Sequence, residues 1–287
     1  MQFRFEIIAP PPELASRINT FYVIETEEDR IEEIVPAYSA QLVVMVRGRL
    51  SLDHSPDAPQ PSGSVVVNAP QMRSSPCLLE GPALLLGASL TQIGWQALAN
   101  RPADKVHDTV LPAQAIFSEV QIATLQRAAA ECAEGRKSMA DLSAAMAGVV
   151  AAAPHSPRAD HVAVIEAMMR WLGSAFDPPL EALHEMVDIS PRQLQRLSRR
   201  YFGVPPAQLL KRFRAIRAAM VLANPALPDA FRDEMMASFF DQAHLIHDIR
   251  RYTGRTPTQL RARSLSSGLL DPSGHGEAAE RMRPDAG

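Results

Sequence analysis

The stretch YFGVPPAQL, Tyr201 to Leu209, recurs as YTGRTPTQL, Tyr252 to Leu260, 51 residues further on. Arg199-Arg200 ahead of the first copy matches Arg250-Arg251 ahead of the second. Such a repeat means one local unit built twice. In each copy a helix runs into an aromatic residue and stops at a glycine, which supplies the left-handed position after the last turn. A proline then opens the next helix, where its missing N–H costs nothing. Between the copies Leu209, Leu210, Phe213, Ile216 and Met220 describe one longer amphipathic helix. The constraint is two helical units joined by a helix.

The first unit can be read in detail. Val162, Ile165, Met169 and Leu172 recur on one helical face. Asp177-Pro178-Pro179 offers a cap and a proline start for a short helix carrying Leu180, Leu183 and Val187. Ser190, Pro191 and Gln193 then form a capping-box signature. In the helix that follows, Leu194, Leu197 and Tyr201 should face a core, while Arg192, Gln195, Arg196 and Arg199 share another face. Two short helices, a tight turn and an Arg/Gln face form a helix-turn-helix pattern, whose second helix enters the major groove. Arginine suits guanine O6 and N7, and glutamine suits adenine N6 and N7. Arg199 and Arg200, nearer the helix end, are placed for phosphate, as are Arg250 and Arg251 in the second copy. A solvated basic face is the plain alternative for this helix taken alone; the repeat weighs against it. Charge does too. Residues 158–264 carry 16 Lys and Arg against 11 Asp and Glu, and the rest of the chain carries 13 against 21. A basic module beside an acidic one suits a partner with phosphates.

With both copies in view, residues 160–263 resemble the DNA-binding domain of the AraC/XylS family of transcription regulators. The resemblance rests on ISPRQLQRL and YFGVPPAQLLKRFRAIRAAMVL in the first unit and FFDQAHLIHDIRRYTGRTPTQLR in the second. It implies a seven-helix domain whose two recognition helices enter successive major-groove segments on one face of DNA. By matching position, Arg192, Gln195 and Arg196 would read bases in the first unit, and Gln242, Ala243 and His247 in the second. There are departures. Ser238 stands where the family usually has Gly, Asp233 and Glu234 where it has an apolar residue followed by Ala, Ser198 where a core Phe is common, and His247 where Arg is common. Asp241 is the expected cap of the second recognition helix, and Phe231, Met235 and Phe239 still make an apolar stripe before it. A neutral His offers fewer donors than Arg, and Asp248 beside it is expected to repel phosphate. The first unit is therefore expected to dominate base reading.

The N-terminal part reads differently. Up to about residue 105, short apolar runs broken by Gly, Pro, Asn and Asp favour a small sandwich or barrel. Gln41 to His54 reads as a hairpin turning near Gly48; Ser64–Pro70 and Ala83–Leu90 read as further strands. From Pro112, two Ala- and Leu-rich segments read as helices, the first ended by Gly135. Their apolar faces would meet the chain's own domain or a second subunit. The fold class expected is α+β: a β-barrel, cupin-like domain with accessory helices over residues 1–150, a linker at 151–159, an all-α domain of two helix-turn-helix units at 160–264, and a disordered tail at 265–287. In the family such a barrel binds a small effector and the helices after it dimerise.

Nothing in the chain points to an enzyme. The β region holds His54, with His107 beyond it, and no HxH pair, so neither a metal nor another cofactor is expected. GxSxG, P-loop and HExxH patterns are missing. Cys77 and Cys132 have no spacing for zinc or a disulfide framework and are not expected to sense redox state. The acid run ETEEDRIEE, Glu25 to Glu33, reads as a solvated loop or strand edge, with cation binding or contact to the basic domain as the alternatives. Trp95 and Trp171 read as core. The opening MQFRFEIIAP has no apolar leader pattern, and no run of 18 apolar residues occurs, so a cytoplasmic, non-membrane protein is expected.

The functional expectation is a sequence-specific DNA-binding transcription regulator, an activator or a repressor, with promoter DNA, a small-molecule effector, a second copy and RNA polymerase as candidate partners. Two alternatives stay open: a small-molecule-binding or enzymatic cupin-like protein whose helical module no longer reads DNA, and a protein–protein adaptor. On a preferred duplex, Arg196→Ala should cost more affinity than His247→Ala in a fluorescence anisotropy titration; equal losses would mean that both units read bases equally.

Overall fold

The computed structural model describes residues 3–52, 63–223, 233, 235–239 and 242–260. Seven strands come first: β1 (Arg4–Ile8), β2 (Ile18–Thr26), β3 (Arg30–Val35), β4 (Gln41–Leu52), β5 (Val65–Asn68), β6 (Ser75–Leu90) and β7 (Val110–Pro112). All pair antiparallel in one sheet. β6, with its 16 residues, is the spine. β4 runs along one edge of it, while β2 and β3 share the other, β3 on Ser75–Glu80 and β2 on Ala83–Leu90. Among the described residues the strand path ends on β1 and β7.

Both faces of the sheet are buried, which is why its strands read as near-continuous apolar runs. Successive side chains alternate between the faces. Phe21, Val23, Leu42, Val44, Leu86 and Ala88 enter one core. Tyr22, Ile24, Val43, Met45 and Leu85 enter the other with Ile31 and Leu79, around an apolar cavity of about 60 Å³. The first core is covered by α3 (Glu119–Ala133) and α4 (Met139–Ala151). Each starts with a capping box, Ser118 with Gln121 and Ser138 with Asp141, and they offer Leu125, Leu142, Met146 and Val150 to the strands. The apolar faces of this helix pair therefore lie on the chain's own sheet.

The structure departs from expectation in two places here. Gln41–Leu52 is one continuous strand and not a hairpin, and His54 lies outside the described residues. Gly48 marks a bulge: the register of β4 against β6 shifts on both sides of Arg47, and Gly48 has φ +78°. A Cβ there would stand 2.6 Å from the Glu80 carbonyl oxygen. A glycine inside a strand pattern can bend the strand as well as end it. Secondly, the chain leaves the sheet at Leu90 for α1 (Gln92–Ala99) and α2 (Ala103–Val106), then returns as β7 against β5.

The C-terminal region is helical: α5 (Ala159–Gly173), α6 (Leu180–Glu185), α7 (Pro191–Phe202), α8 (Pro206–Ala223), α9 (Gln242–Thr253) and α10 (Pro257–Leu260). Trp171, Leu172, Leu183, Leu194, Leu197, Tyr201 and Leu209 form the first core. Ile216, Met220, Met235, Phe239, Leu245, Ile249, Tyr252 and Leu260 form the second. α8 supplies residues to both, so it is the beam between two units. Asp177 does not cap α6; that helix starts after Pro179 with no side-chain cap, and Asp177 instead pairs with Arg214 at 2.8 Å. Phe231, Glu234, Asp241 and the tail at 265–287 lie outside the described residues.

Gly48→Val should lower the melting temperature, since it puts a branched side chain at positive φ against backbone, a change costing ~1–3 kcal/mol in strain alone. An unchanged melting curve would show that the bulge relaxes freely.

Candidate nucleic-acid interface

α7 is built from its ends inward. The Ser190 hydroxyl accepts the Gln193 backbone N–H at 3.3 Å, and the Gln193 side-chain Oε1 accepts the Ser190 N–H at 3.1 Å. At the far end Gly203 has φ +83°, and its N–H donates to the Arg199 carbonyl at 3.0 Å. Leu194, Leu197 and Tyr201 are buried, while Arg192, Gln195, Arg196 and Arg199 are all exposed. Among the described residues no ion pair engages these three arginines. Ser198 faces the core despite its hydroxyl; its Oγ donates to the Val204 carbonyl at 2.6 Å, which satisfies both groups. Arg200 is half-buried, with its guanidinium 5.8 Å from the Tyr201 ring centre.

α9 repeats the design. Gly254 has φ +72°, and its N–H donates to Arg250 O at 2.9 Å. Arg251 stands 5.6 Å from the ring centre of Tyr252. Leu245, Ile249 and Tyr252 are buried, and Ala243, His247, Arg250 and Arg251 are exposed. Gln242 is the first residue of α9; nothing of its side chain is described. Asp248 differs from expectation. It is fully buried, and its carboxylate faces Lys211 Nζ at 3.1 Å, His244 Nε2 at 3.2 Å and His247 Nδ1 at 3.3 Å. It therefore ties α9 to α8 and does not confront phosphate. The lysine two residues beyond Leu209 carried this signal only in three dimensions.

A helix with an exposed cationic and amide face, repeated behind the same glycine turn, matches what the family model finds. Residues 183–263 match the model described as a helix-turn-helix domain. The chain carries an AraC-type helix-turn-helix domain at its C-terminal end. A search of the curated proteins gives no match. Among solved structures the chain is similar to ToxT from Vibrio cholerae at 9% identity, covering 94% of this chain and 99% of that one, with a TM-score of 0.46. It is similar to ToxT from Vibrio cholerae O395 at 9% identity, covering 94% and 97%, with a TM-score of 0.46. ToxT bound to (E)-4-(8-methylnaphthalen-1-yl)but-3-enoic acid matches at 9% identity, covering 94% and 99%, with a TM-score of 0.45.

The AraC-type domain does not stand free of the sheet. Arg212 is buried and donates to Gln71 O at 3.0 Å and to Met72 Sδ at 3.1 Å. Burial pulls its guanidinium down to about 10. Sequence reading passed over it, although Arg212 lies three residues after Leu209 and four before Ile216, a cation inside the apolar stripe. Glu33, buried, pairs with Arg255, so the acid run does reach the basic domain at one residue. Elsewhere in the run Glu25 and Glu27 pair with Arg47 and Glu32 pairs with Arg30. Trp95 and Trp171 are core. Cys77 and Cys132 are free, and burial pushes the Cys77 thiol up to about 12, unsuited to thiolate chemistry. Among the described residues no cluster of three or more His, Cys, Asp or Glu could hold a metal, and no helix is long and apolar enough to cross a membrane.

Asp248→Asn should lower the thermal stability without tightening DNA binding, because it removes a buried partner of Lys211. Tighter binding at unchanged stability would restore the view that Asp248 repels phosphate.

Proposed function

We propose that this chain is a sequence-specific transcription regulator that reads promoter DNA in the cytoplasm through its AraC-type domain. The observation that carries the reading is the row Arg192, Gln195, Arg196 and Arg199, exposed along a helix capped at both ends. In this role Arg192, Gln195 and Arg196 meet base edges near the N-terminal end of α7, where a recognition helix reads. Gln242, Ala243 and His247 take the matching positions on α9. Arg199, Arg200, Arg250 and Arg251 neutralise phosphates, which positions the domain without specifying sequence. Lean of Arg200 and Arg251 on their tyrosines keeps each cation near the helix end. Residues 1–150 form the regulatory part, 151–159 the linker and 160–264 the reader.

Control by a small-molecule effector is the finer part of this reading. A cavity of about 100 Å³ lies between the sheet and the AraC-type domain, with Tyr38, Gln41 and Trp95 on one side and Tyr201, Phe213 and Ile216 on the other. A ligand there would touch both parts at once. A second copy and RNA polymerase are the partners a regulator of this kind would meet at a promoter.

Anisotropy of the purified protein on DNA from its own upstream region, against a scrambled duplex, tests the reading. Binding should be selective, and log affinity should fall against log salt with a slope of about −3 to −4 if the four terminal arginines meet phosphate. Arg199→Ala should reduce that slope by about 1 while leaving sequence preference intact. Equal binding to both duplexes at every salt concentration would contradict it.

A further inference from the structure

Both helix-ending turns of the AraC-type domain rest on one surface of the sheet domain. A Cβ at Gly203 would stand 2.8 Å from Sδ and Cε of Met72. One at Gly254 would overlap Ile34 Cγ2 and lie 3.1 Å from Ser74 Oγ. Hydrogen bonds cross the same seam. Ala37 N–H donates to Tyr252 O at 2.8 Å, Ser74 Oγ donates to Arg251 O at 3.4 Å, and Arg212 donates to Gln71 O at 3.0 Å. The Glu33–Arg255 pair lies there too. Gln71 N–H donates to Tyr38 O at 2.8 Å, which joins the two sheet-domain segments into one platform. Residues 71–74, between β5 and β6, thus meet the first unit at Met72 and the second at Ser74.

The glycines answer two demands. A left-handed turn alone would also accept asparagine. At Gly254 a side chain would run into Ile34 and Ser74, so docking adds a second demand for glycine there; at Gly203 the neighbour is the flexible end of Met72, and the turn itself sets the demand. Meanwhile the reading faces point away. With the seam closed, Arg192, Gln195, Arg196 and Arg199 on α7 and Ala243, His247, Arg250 and Arg251 on α9 remain exposed. A contact that blocked DNA would cover some of them.

We propose that residues 33–38 and 71–74 form a clamp that fixes the placement of the two recognition helices relative to each other, and that the clamped form is the DNA-binding form. The inference rests on the regulator reading above. Two weak readers held in register bind a double site far better than two that must be ordered on DNA, because the ordering is complete beforehand. Anything that loosens the clamp then lowers affinity for the whole site without touching a base contact.

The test uses the full chain and a duplex that the wild type selects from a random pool. A shortened duplex keeps only the half whose binding Arg196→Ala abolishes. Two variants open the seam: Gly254→Asn, which keeps the left-handed turn, and Glu33→Gln, which leaves the turn untouched and carries the test if the first does not fold. Each should bind the intact site about tenfold more weakly and the half site as the wild type does. Unchanged or tighter binding to the intact site overturns the clamp. An equal loss on the half site overturns it as well, since that marks damage to the first unit itself. A wild type that selects no sequence at all sinks the regulator reading and the clamp together, and is told apart by that absence.

Discussion

Two glycine turns organise the helical half of this protein. Each one ends a helix, α7 or α9, and the residue before the turn, Phe202 or Thr253, is buried. The left-handed conformation at Gly203 and Gly254 sends the chain sharply away, so the next helix starts across the end of the last. In the first unit this sets α8 against α7 and commits Leu209 to the same core as Leu197. In the second it brings Leu260 back onto Ile249 and Tyr252. The row of cations on each helix faces out because its opposite face is held in by this return.

The sheet domain solves a different problem. A seven-stranded sheet with apolar residues on both faces must cover both. One face takes the α3–α4 pair, and the other closes around its own small cavity. The AraC-type domain sits on residues 33–38 and 69–75 and on α1 and α2, which pack against α7. Buried Arg212 and the Glu33–Arg255 pair make that seam polar at specific points, and a polar seam gives register more than raw stability. The two halves are linked through these atoms, so a change in the sheet domain has a path to α8 and to the turn after α9.

Much of the helical half was legible in the sequence because its signals are local. Ser190 with Gln193, Gly203, and the Leu194–Leu197–Tyr201 stripe need no knowledge of distant residues. The sheet was legible in kind and less so in detail. Gly48 gives the same local signal for a turn and a bulge, and only the partner strand β6, 16 residues long, decides between them. Asp248 and Arg212 were misjudged or missed for the same reason. Their partners, Lys211 and the Gln71 carbonyl, lie on other elements, and burial reverses what a charge means. Asp177 looked like a cap because it precedes prolines, yet Arg214 on α8 competes for its carboxylate and holds it.

As a regulator, the chain would bring its two units onto DNA together from one side. Hydroxyl-radical footprinting of the full chain on a selected duplex measures this directly. Two protected patches on the same face of the helix, about 10 base pairs apart centre to centre, are the predicted result. A single patch, or two on opposite faces, would contradict joint reading by the two units.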